Sequence, residues 1–107
     1  MRRGSIYWIN LGKMNPPEMG KTRPAIIVSN SEQNEILDSV IVIPLSSQAP
    51  EIWPLRVRLE IQKGKASFAI VPGLRQVSKA RLAEQIGQVS EVALHDIDEA
   101  IRTYLAD

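Results

Sequence analysis

The stretch Gly20-Lys21-Thr22-Arg23-Pro24-Ala25-Ile26-Ile27-Val28-Ser29-Asn30 decides how this chain is read. A basic segment runs straight into four apolar residues, with an Arg and a Pro at the junction. A short unbroken apolar run is what a strand covered on both faces looks like. The strand is expected over Arg23–Ser29. Its entrance holds Arg23 at the rim of the core, anchored below and open to solvent above. Pro24 fixes its own φ and pushes Arg23 toward extended backbone. A guanidinium on so stiff a mount suits phosphate, because its planar donor fork matches phosphate oxygens. The plainer reading is a strand-edge Arg paired with a nearby Glu.

Working outward, Gly4–Asn10 reads as a strand, since Ile6, Tyr7, Trp8 and Ile9 have high β propensity. Leu11–Thr22 carries Gly12, Pro16, Pro17 and Gly20 and reads as a long loop of the kind that is often functional. After the central run, Ser29-Asn30-Ser31 offers a cap for one or two helical turns over 31–37. Val40–Pro44 is a third apolar strand, ended by Pro44. Leu45–Pro54 is a second loop.

Leu55–Ile61 alternates: Leu55, Val57, Leu59 and Ile61 face one way, Arg56, Arg58 and Glu60 the other. That is a half-buried antiparallel strand with a partly basic outer face. Lys63-Gly64-Lys65 is a hairpin turn into Ser67–Val71. Leu74–Ser78 and about Gln85–Val89 are two more short strands. Ser90 caps a helix over 91–105 whose apolar stripe is Ala93, Ile97, Ala100, Ile101 and Tyr104. The expected architecture is mainly β (α+β). It is a small SH3-like antiparallel β-barrel with short helices, closed by a C-terminal α-helix.

A chain of 107 residues is expected to make one domain, residues 1–107. No apolar run approaches the ~20 residues a membrane span needs, so no membrane is expected. The start has no apolar region behind Arg2 and Arg3, so it does not read as a signal peptide. The absence of cysteine removes disulfides, thiolate metal sites and Cys nucleophiles, and fits a reducing cytoplasm. The net charge of +1 divides unevenly. Residues 1–88 carry 12 Lys and Arg against 7 Asp and Glu; residues 89–107 carry one Arg against five acids. A basic body suggests an anionic partner such as nucleic acid, while the acidic segment also serves simply to solvate one helix face.

Familiar catalytic sets are missing. The single His, His95, points away from the helix stripe and reads as a surface residue, which leaves no Ser-His-Asp arrangement. No His or carboxylate cluster has metal-ligand spacing, and the glycines are too scattered for a phosphate loop, so neither metal nor cofactor is expected. What remains is a set of cations and hydroxyls, Arg3 among them, gathered around the loops. Trp8, Trp53 and Tyr7 are the aromatics on which a base could stack. Trp8 is expected in the core, and Trp53 is open to either reading. A chemistry needing only positioned cations and a hydroxyl is RNA self-cleavage, because RNA brings its own 2′-OH nucleophile. The protein must align the backbone, stabilise charge on the phosphorane and protonate the leaving 5′-oxygen.

Four ordered motifs carry a resemblance. Arg3-Gly4-Ser5-Ile6-Tyr7-Trp8, Glu18 to Val28, Val42-Ile43-Pro44-Leu45-Ser46-Ser47-Gln48, and Leu74 to Leu82 together resemble the MazF/PemK family of type II toxin–antitoxin toxins. The resemblance implies an SH3-like barrel that forms a homodimer. It implies metal-independent, sequence-specific cleavage of single-stranded RNA, leaving a 2′,3′-cyclic phosphate or 3′-phosphate and a 5′-hydroxyl. It also implies neutralisation by a cognate antitoxin. Arg23 falls on the family's active-site Arg and Ser46 on its active-site Ser/Thr. Glu18 lies in the loop that covers RNA and is a candidate base. Lys21, Thr22, Ser47, Gln48, Arg56, Arg75 and Lys79 are the expected RNA contacts.

The chain also departs from the family pattern. Ser5 stands where many relatives have Asp, Pro72-Gly73 stands where some have an acid, and the first-loop His of some members is absent. The general base is therefore open. The alternative is a CcdB-like toxin acting through its terminal helix, or a catalytically impaired binding module of the same fold. Tyr104, as part of the apolar stripe, is expected to pack.

Overall fold

The computed structural model describes residues 1–107. β1 (Ser5–Asn10), β2 (Thr22–Ile27) and β3 (Ser39–Ser46) form the centre of a seven-stranded sheet. β4 (Arg56–Gln62) and β5 (Lys65–Ile70) make a hairpin beside β3, β6 (Arg75–Ser78) pairs with the start of β3, and β7 (Leu82–Gln88) pairs with β1. The order is β4-β5-β3-β2-β1-β7, every pairing is antiparallel, and the sheet curls into a half-barrel with a helix across it. The expected mainly β fold with a terminal helix is what forms.

The apolar run at the centre explains this shape. Side chains alternate along a strand, and here both faces of β2 are covered. Ile26 and Val28 join Ile6, Ile43 and Leu45 in the barrel interior. Ala25 and Ile27 join Ile9, Val40, Val42 and Val77 in a second core behind the sheet. Each fully buried aliphatic of this kind contributes roughly 1.5–3 kcal/mol. β4 buries Val57 and Leu59 on the interior and leaves Arg58 and Glu60 outside, as its alternation dictates.

α1 (Ser31–Ile36) is capped by Asn30, whose side chain accepts from the N–H groups of Glu32 and Gln33. α2 (Glu91–Leu105) is capped by Ser90, which accepts from the Ala93 N–H. α2 seals the barrel with Ile97 and Ala100, both buried. Arg3 ties α2 to the sheet: its Nε donates to the Val28 carbonyl at 2.6 Å and its fork pairs with Asp98. No helix is long and apolar enough to cross a membrane.

Several expectations change. β3 does not end at Pro44 but runs on to Ser46. Pro44 stands where the neighbour on one edge of β3 changes from β6 (Val42↔Arg75) to β5 (Leu45↔Ala69), a place where a residue without an N–H is tolerated. The 3-10 turn Val71–Gly73 fills that gap; a Cβ on Gly73 would lie 2.6 Å from the Pro44 ring. Trp8 is not in the core: it is 36% exposed, opposite Pro24 at the barrel mouth. Tyr104 follows the stripe of α2 but lies past the end of the core and is 46% exposed. Arg3 is spent on the Asp98 ion pair rather than on a loop surface.

Candidate active site

The long β1–β2 loop is tied at both ends. Leu11 N–H donates to the Lys21 carbonyl at 2.9 Å, and Lys21 N–H donates to the Gly12 carbonyl at 2.7 Å. Gly20 makes this closure possible, because a Cβ there would lie 2.5 Å from the Gly12 carbonyl oxygen. Lys21 sits at φ 69, in the left-handed region, where a residue with a side chain is uncommon. Held strain of this kind clusters at functional sites.

Arg23 follows at once on β2. Its Nε donates to the Gly20 carbonyl at 2.9 Å and its Nη1 to the Leu45 carbonyl at 3.4 Å. Both anchors are backbone oxygens, one from the loop and one from the end of β3. Nη2 has no protein acceptor, and no carboxylate forms an ion pair with this guanidinium. The plainer reading, a strand-edge Arg paired with a Glu, is therefore not what the fold builds. Arg23 is half-buried and forms a wall common to two clefts, one of about 560 Å³ and one of about 780 Å³.

The smaller cleft brings Arg23 together with Ser46, Ser47 and Gln48 at the exit of β3. The Ser46 Oγ accepts from the Gln48 N–H at 3.1 Å, which folds the segment back over the cleft. Because β3 continues past Pro44, Ser46 is held on a strand, opposite Phe68 of β5, and not on a free loop. No side chain lining this cleft is a carboxylate or an imidazole. Lys21, Thr22 and Glu18 line the larger cleft, on the other side of Arg23. Glu18 is thus beside Arg23 but not beside Ser46. His95 is exposed on α2, as its position on the helix indicated.

Three of the expected RNA contacts line neither of these two clefts. Arg56 donates to the Pro50 carbonyl at 2.7 Å and lines a separate cleft with Asp96 and Glu99 of α2. The acidic face of the helix thus answers part of the charge of the basic body. Arg75 donates to the Leu11 carbonyl at 3.2 Å and lines a recess with Glu18. Lys79 follows Ser78, the partner of Ser39 at the start of β3. Ser46 lies seven residues along that strand, roughly 23 Å away at the usual rise. Lys79 is near Glu35, whose carboxyl is held below the usual range first by the hydrogen bond and charge of the N-terminal amine, with a smaller pull from Lys79.

One aromatic expected in the core lies near the cleft instead. Trp8 faces Pro24 across the β1–β2 pair, and the Pro24 ring lines the Arg23–Ser46 cleft. Trp8 is therefore an exposed aromatic at the site's margin, not a core residue. The sequence offered Trp8 as a stacking aromatic, but its place within β1 favoured the core.

A β half-barrel with a clamped, unpaired guanidinium between two open clefts defines a small β protein built to receive an anion. A family model described as PemK-like, MazF-like toxin of type II toxin-antitoxin system matches residues 2–105, and the chain belongs to that family. Endoribonuclease MazF9 of Mycobacterium tuberculosis is 29% identical over 113 residues, covering 98% of this chain and 96% of that protein. The structure is similar to MazF from Deinococcus radiodurans, with a TM-score of 0.85, 23% identity and 98% and 96% of the two chains covered. It is also similar to an endoribonuclease in complex with its cognate antitoxin from a mycobacterial species, with a TM-score of 0.82, 23% identity and 98% and 94% covered.

Proposed function

We propose that this chain is a single-domain toxin that cleaves single-stranded RNA, with Arg23 and Ser46 as its catalytic residues. The observation that carries the reading is the guanidinium itself. Arg23 is fixed by two backbone carbonyls and leaves Nη2 free beside the Ser46 hydroxyl group's cleft. A preorganised cation aimed at developing charge is worth far more than a mobile one, because nothing has to reorganise during the reaction.

In this reading the scissile phosphate sits in the Arg23–Ser46 cleft. The 2′-oxygen of the RNA attacks phosphorus and forms the new 2′-O–P bond. The 2′-hydroxyl gives its proton to water, the P–O5′ bond breaks, the 5′-oxygen takes a proton from water, and the products are a 2′,3′-cyclic phosphate and a 5′-hydroxyl. Arg23 holds the extra negative charge of the phosphorane, and Ser46 donates a hydrogen bond to a phosphoryl oxygen. Arg23 is poorly suited to give up a proton, since a guanidinium stays charged in proteins. With no acid or imidazole lining that cleft, alignment and charge stabilisation carry the rate. Lys21 and Thr22 extend the same surface on the far side of Arg23 and hold the flanking backbone.

The protein acts in the cytoplasm, as a homodimer, under the control of a cognate antitoxin. The family membership supports all three, and the endoribonuclease in complex with its cognate antitoxin has a similar fold. Exposed Ile36 and Leu37 at the end of α1 and Val92 on α2 leave apolar surface for a second subunit. The helix-targeted alternative is less well supported, because the family model and the curated relative are a MazF-like toxin and an endoribonuclease.

The test is to incubate purified protein with one long single-stranded RNA in EDTA and to map both new ends. Cleavage with 5′-hydroxyl ends, lost in Arg23→Ala, is expected. RNA left intact by the wild-type protein across varied sequences overturns the reading.

A further inference from the structure

A recess of about 360 Å³ lies between the β1–β2 loop, the Val71–Gly73 turn and the end of α2. Its apolar walls include Met14, Met19 and Leu74, and the Tyr104 ring lines it as well. Glu18 and Arg75 bring the two charges. These two do not form an ion pair with each other or with any other group. Arg75 is steadied through Nη1 on the Leu11 carbonyl, and the rest of its fork has no protein acceptor.

Tyr104 is carried there by the helix period. It lies four residues beyond Ala100 and seven beyond Ile97, both buried, so it continues their face past the end of the barrel. Its hydroxyl has no partner in the protein, and its ring is 46% exposed. Met19 lines this recess, the larger loop cleft and the Arg23–Ser46 cleft, and Glu18 lines two of the three. Through Met19 the recess thus adjoins both clefts that Arg23 lines.

We propose that this recess holds one nucleobase of the RNA next to the scissile bond and reads it, making Tyr104, Glu18 and Arg75 specificity-determining residues. The inference rests on the ribonuclease reading above. A Tyr ring with thioethers beside it suits the flat face of a base. A carboxylate accepts only and a guanidinium donates only, so the pair needs an edge offering both a donor and an acceptor. Carboxylates pair with exocyclic amines and Arg with ring and carbonyl acceptors. Adenine and cytosine offer such an edge through an amine and a ring nitrogen, guanine and uracil through a ring N–H and a carbonyl, so the pair orients the base and the cut motif names it.

The experiment maps cut sites on one long RNA for wild type, Tyr104→Ala, Tyr104→Phe and Glu18→Gln, with a melting curve for each protein. Preference at one position of the cut motif falls roughly tenfold in Tyr104→Ala, the loss of one base stack. Glu18→Gln relaxes the same position, and Tyr104→Phe keeps the wild-type motif. Glu18 is exposed on the loop, so its variant carries the test if Tyr104→Ala melts early. A wild-type enzyme that cuts, with the motif unaltered by Tyr104→Ala and Glu18→Gln, overturns the recess as a reader and leaves the nuclease standing. A wild-type protein that cuts nothing overturns the nuclease reading and this inference with it.

Discussion

Arg23 and Gly20 are joined by a hydrogen bond of 2.9 Å from the guanidinium Nε to the glycine carbonyl. The cation is therefore aimed by the loop that precedes it, and the loop's conformation and the site's electrostatics are one property.

Replacing Arg23 removes the only charged side chain that lines the Arg23–Ser46 cleft. Arg23→Ala is expected to lower single-turnover RNA cleavage by about 10²–10³-fold, the loss typical of one preorganised donor. Arg23→Lys restores the charge but neither the Nε anchor nor the planar fork, so it recovers little. Cleavage by Arg23→Lys within a few-fold of wild type would contradict the geometry described.

Gly20→Ala places a methyl 2.5 Å from the Gly12 carbonyl oxygen and 3.1 Å from the Met14 nitrogen. Both are backbone atoms, so the loop must shift and take the Gly20 carbonyl away from Arg23. A tenfold or greater loss of cleavage is expected with only a small change in melting temperature, since of this loop only Leu11 belongs to either core. The rate and the melt measured together separate this from simple unfolding.

Ser46→Ala is expected to lower cleavage by at least about tenfold, and Ser46→Thr to keep most of it. The hydroxyl also accepts from the Gln48 N–H, so stability falls by about 1 kcal/mol in the Ala variant alone. Equal rates for Ala and wild type would remove Ser46 from the site.

Trp8→Ala is expected to weaken RNA binding, seen as a higher KM with kcat little changed. The loss corresponds to one stacked base, about 1–3 kcal/mol. Trp8→Phe keeps an aromatic face opposite Pro24 and retains most of the affinity. A fall in kcat alone would place Trp8 in a different role.

Arg3→Ala or Asp98→Ala cuts the tie between α2 and the sheet without touching the clefts. Each is expected to cost on the order of 1 kcal/mol, discounted because Asp98 is partly exposed. That is a drop of about 4–8 °C in melting temperature for a domain of this size. The double variant should melt no lower than the sum of the singles, because each single variant already breaks the shared pair.

Much was legible in the chain itself. Ala25 to Val28 announced a strand buried on both sides, the alternation at Leu55–Ile61 announced a half-buried antiparallel strand, and Ser90 with Ile97 and Ala100 announced the closing helix. These are local statements, fixed by side-chain period and capping chemistry, and neighbours in sequence suffice to make them. Arg23 was placed at the rim of the core by the same reasoning. Tertiary structure alone decided which groups meet there. Pro44 looked like a stop because a proline has no N–H, yet the change of partner along β3 accommodates it and carries Ser46 to Arg23. Trp8 and Tyr104 read as core by their apolarity, but the barrel ends before either side chain is covered. Arg56 and Lys79 looked like neighbours of the site by charge, and the topology turns one toward the acidic helix and sends the other to the far end of β3. Burial, pairing edges and the meeting of distant loops depend on where the sheet curls and stops, and no short stretch of sequence contains that information.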